Sequence, residues 1–349
     1  MSSSTAVVEP VAFGGGLPTS TAVRTWHRLR RDRVALASGI VILIVLVLCF
    51  AVEPLAEHLL GHGPNKQFPN ATGIDLKPAG PWTHVADTSY AGQTVTASTP
   101  RTLLILGADG PLGRDEFLRL LAGGRASLEI ALLATALALL IGTALGSIAG
   151  FYGGWADTGI TRVTEFVMGF PILFFVVVVG MTFSGRINDV TVHNVFTPGV
   201  IALVLLIGFF NWFYISRIVR AQVLSLREQQ FVEAARMTGA SDLYVIRKHI
   251  LPHLTGSIIV YGSLVIATTM VLEAALSFLN LGIKLPNASW GNMLSTNWGT
   301  LLVPGGQEAY ARTSAWTSIW PTVSIFVTVF AFALFGEGLR RALDPHGTA

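Results

Sequence analysis

The stretch Glu233-Ala234-Ala235-Arg236-Met237-Thr238-Gly239, followed by His249-Ile250-Leu251-Pro252, lies between two long apolar segments of this 349-residue chain. Residues 228–238 favour helix, Gly239 suits the left-handed geometry that ends one, and Ser241 or Asp242 can cap the next. In that second helix Leu243, Ile246 and Ile250 are expected to share a face, with Leu251-Pro252 ending it before the next apolar run. Ala234 and Ala235 present almost no side chain, so another surface can come close, and Glu233 supplies one charge at the edge. Two readings are open at this point: a docking surface for another protein, or an ordinary amphipathic helix lying on a membrane.

The apolar segments on either side settle the class. Hydrophobic residues make up 52% of the chain, charged residues only 12%, and the mean hydropathy is +0.60, far from the usual soluble domain. Six spans, 34–52, 127–150, 163–183, 198–217, 256–279 and 316–336, each approach the roughly 20 residues that cross a bilayer. Arg24, His27, Arg28, Arg30, Arg31 and Arg33 precede the first, which places the N-terminus in the cytoplasm. An even number of spans returns the C-terminus, with Arg340 and Arg341, to that side. The loop at 218–255 carries Arg220, Arg227, Arg236, Arg247 and Lys248, as a cytoplasmic loop should. The fourth span runs into it through Asn211, Trp212 and Tyr214 to Arg217, an aromatic-then-basic interfacial order.

The chain therefore divides into a cytoplasmic tail (1–33), a first transmembrane helix (34–52), an extracytoplasmic segment (53–126), a five-helix core (127–336) and a cytoplasmic C-terminus (337–349). The fold class is an all-α membrane protein of about six transmembrane helices with both termini inside. A cleaved signal is disfavoured, because more than 30 residues would precede the 19-residue run at 34–52. The Ser-, Gly- and Thr-rich first 20 residues read as a disordered tail.

Within the spans, Gly142, Gly146 and Gly150 repeat every four residues and so share one helix face, where small residues let another helix approach. Pro171 and Pro321 are expected to kink or start helices. Glu165 and Glu273 are intramembrane carboxylates, costly without a partner or water. For Glu273 a proton relay, a substrate contact and a structural hydrogen bond all remain open, and Glu165, close to Phe170-Pro171, marks a helix irregularity. Arg114-Asp115 are expected to anchor an interfacial helix through Phe117, Leu118, Leu120 and Leu121.

Enzyme signatures are missing. No Gly-Lys dipeptide exists, so the GxxxxGK[ST] phosphate loop is absent. His58 and His62 are spaced four apart without an HExxH pattern and are expected to be solvated in the outer loop. Gly146-Ser147 lacks the GxSxG context of a nucleophile. The only cysteine, Cys49, sits in an apolar run, which excludes disulfides and cysteine metal sites within the chain.

The order Glu-Ala-Ala, three residues, Gly, nine residues, His-Ile-Leu-Pro from Glu233 to Pro252 resembles the cytoplasmic signature of ABC-importer permeases, and more narrowly the C-type subunit of dipeptide and oligopeptide importers. Leu106-Gly107-Ala108-Asp109 with Leu112-Gly113-Arg114-Asp115 is similar to that family's LGTDxLGRD. Phe170-Pro171-Ile172-Leu173 resembles FPxLL, and Leu276 to Gly282 with Ser289-Trp290-Gly291-Asn292-Met293-Leu294 resembles LSFLGLG and SWGxML. Gly338-Leu339-Arg340 with Ala342-Leu343-Asp344-Pro345 is similar to GLRxxLDP. The resemblance covers roughly residues 24–345. It departs at Gly110-Pro111, where one residue is usual, at Asn280, in a long outer segment and in an apparent insertion at 303–315.

The resemblance implies a type I importer permease fold with no catalysis of its own. It implies a homologous second permease, two ABC ATPases that carry ATP and Mg, and an extracytoplasmic peptide-binding protein, in a bacterial cytoplasmic membrane. Glu233, Ala234, Ala235, Gly239, His249, Leu251 and Pro252 would couple to an ATPase. Nickel chelates or another small solute are the alternative substrate. A proton-coupled carrier using Glu165 and Glu273 would need more spans or inverted repeats, which the chain lacks. A non-transporting membrane scaffold would need only the loop and the bundle.

Overall fold

A computed structural model of the chain describes residues 28–72, 78–88, 95–96, 98–171, 173–174, 176–179, 182, 196–301 and 308–343. Helix α1 (Arg33–Val47) starts where the Asp32 carboxylate accepts from the backbone N–H groups of Val34 and Ala35 at 3.0 and 3.1 Å. A π turn at Leu48–Val52 passes it into α2 (Glu53–Leu60), and Gly61, in the left-handed region, ends it. The first span is thus one 28-residue rod rather than 34–52, and its outer turns belong to the segment assigned as extracytoplasmic loop. The rod outlasts the apolar run because Glu53 is held by Arg125 of the next span at 3.3 Å.

Helix α3 (Glu116–Tyr152) likewise begins well before residue 127, as a single helix and not as a separate interfacial piece. Its first turn is capped by Asp115, which accepts from Phe117 and Leu118 N–H. Helix α4 (Gly154–Met168) follows directly, then α5 (Val200–Leu226). Most of the predicted third span, 163–183, is described: α4 covers it to Met168, and residues 173–174, 176–179 and 182 are again helical, but among the described residues only the other five expected spans are helices long and apolar enough to cross a membrane. Pro171 comes after α4 has ended, whereas Pro321 sits inside α10 (Glu308–Leu343). Helix α5 continues past Arg217 to Leu226, and Trp212 is buried in the bundle rather than exposed at an aromatic belt.

The main helix pair is α3 against α5. A Cβ on Gly142 would stand 2.7 Å from the Trp212 carbonyl oxygen, one on Gly146 2.5 Å from that of Ser216, and one on Gly150 2.8 Å from that of Arg220. The numbering rises together on both helices, so they run parallel, backbone against backbone. Such intimacy matters in lipid, where dispersion and not the hydrophobic effect holds helices together. At the opposite end of the chain, Arg341 of α10 pairs with Asp32 at 3.1 Å. That pair puts the start of the first span and the end of the last on one side.

The outer segment folds as a small subdomain on α3. Strands β1 (Thr83–Ala86) and β2 (Arg101–Leu104) pair antiparallel, as do β3 (Ala108–Asp109) and β4 (Arg114–Asp115). Phe68, Ala71, Val85, Leu104 and Ala108 form its apolar centre. Beneath them lies a buried polar cluster. Asp109 faces Arg114 at 2.8 Å and also Arg119, and the Asp115 carboxylate meets the His62 ring at 3.0 Å. His62 is buried, not solvated, which corrects the expectation for it, while His58 is exposed. Burial works to depress the His62 imidazolium, but the Asp115 carboxylate and the Leu60 carbonyl outweigh it and the net direction is upward.

Past α5 come α6 (Gln230–Met237), α7 (Asp242–Val245), a π turn at Ile246–Ile250 and α8 (Leu251–Phe278). Residues Asp242–Phe278 form one continuous rod of 37 residues, about 55 Å long at 1.5 Å per residue. Pro252 does not end a helix, contrary to expectation. A proline lacks an N–H and its ring collides with the carbonyl four residues back. A widened turn just ahead of it makes room, and the same device precedes Pro54 in the first rod. A turn at 279–289 leads to α9 (Trp290–Leu301), and α10 packs on α8 and α1 and extends to Leu343, inside the predicted C-terminal tail.

Candidate functional site

The loop assigned to 218–255 is mostly helical. Its first residues complete α5 and its last begin α8, so the connecting unit is only 227–250. Gln229 adopts extended backbone and starts α6. The helix ends in a Schellman turn: Gly239 N–H donates to the Arg236 carbonyl at 2.9 Å and Ala240 N–H to that of Ala235 at 3.1 Å. Gly239 has φ +82°, and a Cβ there would touch nothing within 4 Å. Its glycine is required by backbone angle and not by crowding. Ser241 sits in the N-cap position of α7, but its hydroxyl makes no capping bond.

Three contacts brace this helix–turn–helix against the bundle, and a fourth, between His249 and Tyr244, is internal to it. Val232 is fully buried, together with Val245, Ile246 and Ile250, on the cytoplasmic end of α5. The Phe231 ring stacks on His253 at 4.9 Å, and His249 meets Tyr244 edge-on at 5.8 Å. The Arg236 guanidinium lies 4.7 Å from the centre of the Phe151 ring, a cation–π contact to the end of α3. Behind it, Arg220 of α5 grips Asp157 of α4 through two nitrogens, one at 2.7 Å. The Arg220 hydrogen bond holds the Asp157 carboxyl below the usual range, against the opposing effect of burial.

The outward face carries Glu233 and Ala234, both exposed, and then Met237, 83% exposed at the next helical turn. Beyond Gly239, Leu243 (63%) and Tyr244 (52%) continue the same apolar strip. Leu243 therefore does not share the buried face of Ile246 and Ile250. Ala235 also differs from Ala234: it is half-buried and packs inward on the core. A shallow concavity of about 440 Å³, lined by Ser241, Leu243, Tyr244, Arg247 and Lys248, opens beside the strip. Met237 and Tyr244 join the strip although neither belongs to the sequence signature; the signal for Met237 is its position four residues after Glu233, which puts both on one face.

Of the other site residues, His249 and Leu251 face inward, His249 by its rings and Leu251 on the apolar core. Pro252 is exposed and lines a groove of about 610 Å³ with Gln222, His253, Ser257, Tyr261 and Arg340. Glu165 is exposed and pairs with Arg162 at 3.1 Å, so it is not a buried intramembrane acid. Glu273 is buried, facing the bundle interior and not outward. Its carboxylate accepts from the Ser277 hydroxyl at 2.7 Å, with the Ser127 and Ser289 hydroxyls alongside. Glu129 is buried too and held by Arg125 at 3.0 Å. Among the described residues no three His, Cys, Asp or Glu side chains converge as a metal site would require.

An exposed, largely apolar strip on a braced helix pair is a surface suited to protein contact. Comparison with known proteins points the same way. Residues 142–347 match the family of binding-protein-dependent transport system inner membrane components. Residues 20–78 match the N-terminal transmembrane domain of oligopeptide transport permease C. The chain is 32% identical over 321 residues to the glutathione transport system permease protein GsiD of Pectobacterium atrosepticum, covering 92% of this chain and 89% of that protein. It is 36% identical over 233 residues to the oligopeptide transport system permease protein OppC of Haemophilus influenzae, covering 67% and 68%. With the dipeptide transport system permease protein DppC of Bacillus subtilis it shares 31% identity over 320 residues, 92% and 84% of the two chains.

Proposed function

Because this chain belongs to the family of binding-protein-dependent transport system inner membrane components, we propose that it is the C-type permease subunit of an ATP-driven importer of dipeptides or oligopeptides. It forms half of a translocation path in a bacterial cytoplasmic membrane, the other half coming from a homologous permease. ATP and Mg belong to two separate ABC ATPase subunits, since the chain has no phosphate loop of its own. An extracytoplasmic binding protein delivers the solute. Peptides are favoured over nickel or another small solute because the relatives above are permeases for oligopeptides, dipeptides and glutathione.

The observation that carries this reading is the exposed strip Glu233, Ala234, Met237, Leu243 and Tyr244 on a braced helix pair. A motor subunit that closes around the strip moves it as a body, because Val232, Phe231 and Arg236 tie it to α3, α5 and α8. The displacement then rocks the spans between two packings. The only native cysteine, Cys49, is buried, so a cysteine placed on the strip is the reactive thiol. Met237→Cys should cross-link to an ATPase subunit in membranes and the link should weaken when ATP is added. No cross-link from Met237→Cys or Ala234→Cys in an assembled, transporting complex would overturn the coupling role.

A further inference from the structure

The Arg119 side chain is fully buried near the outer end of α3, yet it touches three separate pieces of the molecule. Its Nη1 donates to Asn65 Oδ1 at 3.0 Å, in the loop that follows the first rod, and to the Pro286 carbonyl at 3.0 Å, in the turn between α8 and α9. Its Nε lies against the Asp109 carboxylate of β3. A second thread runs beside it: Asn65 Nδ2 donates to Asn287 Oδ1 at 3.3 Å. The turn is itself fixed to the end of α8, because Asn292 donates to the Ile283 and Asn287 carbonyls at 3.1 and 2.9 Å and Ser277 accepts from Ile283 N–H at 3.4 Å. The guanidinium therefore bonds the outer subdomain to the turn that follows the 37-residue rod, whose near end carries the cytoplasmic unit.

The cluster around it is not saturated. Arg119 Nη2 has no hydrogen-bond partner among the described residues, and neither carboxyl oxygen of Glu116, one helical turn earlier and equally buried, has one. Buried polar groups left unpaired cost stability, and in native proteins they call for an explanation. Glu116 and Arg119 are three residues apart on α3, so their side chains are neighbours on one face and within reach of a direct pairing.

We propose that Arg119 and Glu116 form a two-position latch that couples the outer subdomain to the rod. In this structure Arg119 holds the Pro286 turn. When the rod carries that turn away, the freed guanidinium is received by Glu116, and the subdomain is released from the rod. The latch rests on the reading above, in which motor subunits act on the cytoplasmic end and a binding protein on the outer face. Arg119 is a positioning residue in this scheme; it touches no substrate.

The test uses the complete reconstituted importer with ATPase subunits and binding protein. Arg119→Lys keeps the charge beside Asp109 but loses the planar fork that serves Asn65 and Pro286 together. Glu116→Gln removes the carboxyl that would receive the guanidinium and puts another good helix former in α3. Both should assemble and hydrolyse ATP at the basal wild-type rate. Maximal stimulation by loaded binding protein should fall about tenfold, the scale of one hydrogen bond to a charged group, with the half-saturating binding-protein concentration unchanged. Full stimulation in either variant would overturn the latch, and so would basal and stimulated rates falling in parallel, the mark of a merely structural role. Absence of stimulation in the wild-type complex would instead sink the importer reading itself.

Discussion

Replacing Gly239 separates backbone geometry from contact. Its φ of +82° lies in the left-handed region, and a Cβ would meet nothing within 4 Å. The cost of a side chain is therefore conformational and not steric. For an ordinary residue that cost is roughly 1–2 kcal/mol, which shifts a local equilibrium by about five- to thirty-fold. Gly239→Ala should thus lower the population of the formed Schellman turn by that factor, and Gly239→Val, β-branched, by more. Gly239→Asn should lie close to wild type, because asparagine visits the left-handed region readily. The assay is peptide uptake and stimulated ATP hydrolysis in proteoliposomes, with protease nicking at the exposed Arg236 and Arg247 as the readout of the turn. The expected order of activity is Gly, Asn, Ala, Val, with the subunit inserted in every case. If Asn proved worse than Ala, bulk against the partner and not backbone angle would govern this position. Wild-type uptake with Val would refute the requirement for a fixed corner.

Ala234→Glu should leave thermal stability of the purified subunit unchanged and remove ATPase co-purification, whereas Ala235→Glu should lower both, because Ala235 packs inward on the apolar core; equal stability losses in the two would contradict this difference in facing. Gly146→Leu would force side-chain atoms into the Ser216 backbone and the Val219 side chain, costing about 1–3 kcal/mol, so subunit recovery from detergent should drop, and unchanged recovery would show that α3 and α5 do not need this approach. For His62 the folded value is raised above the ordinary 6.5, so its contribution is complete below pH about 6.5 and lost as pH rises through the raised value. Thermal unfolding followed from about pH 5.5 to about pH 9 should show stability falling on the alkaline side, and His62→Asn should flatten that fall. Asp157 is shifted down by Arg220, so the α4–α5 tie should hold above the ordinary carboxylate range and weaken as pH falls through its lowered value; a profile with no acid loss that Asp157→Asn abolishes would contradict the pairing.

What could be read from residues alone follows a physical division. Hydropathy locates the spans, because a bilayer crossing needs a long apolar run, but it cannot find the ends of rods that leave the apolar layer. The outer turns of the first rod, Glu53 to Leu60, are held by an ion pair to Arg125 that only tertiary structure reveals. The same holds for Arg217 to Leu226, where Asp157 and Gly150 accept from Arg220 of α5 and from Arg227 at its end. The Gly142, Gly146, Gly150 face was legible because packing needs a period of four on one helix. The burial of His62 was not, since its partner Asp115 is far along the chain and spacing carries no trace of it. In the cytoplasmic unit, the alanine pair and glycine corner stood out, while the difference between Ala234 and Ala235 depends on the phase at which α6 docks, fixed by Val232 and Phe231.

A lever works only if it is stiffer than the things it moves. The cytoplasmic unit meets that condition through contacts, not through helix propensity: α6 has eight residues and α7 four, far short of the roughly 12–15 that hold a helix together alone in water. Its rigidity must therefore be borrowed from Val232, Ile246 and Ile250, which are buried in the same cluster as the ends of α3 and α5. The π turn at Ile246–Ile250 sits where a hinge would be expected, yet two of its five residues are buried in that cluster. A widened turn clamped in this way accommodates Pro252 without freeing the rod to bend. Force applied to Met237 and Leu243 reaches α3 and α5 through Arg236 and Val232, and α8 along Asp242–Phe278, which leads to the turn that Arg119 holds. The latch proposed for Arg119 and Glu116 stands at the opposite end of that path, in the polar cluster where buried donors and acceptors are unpaired among the described residues.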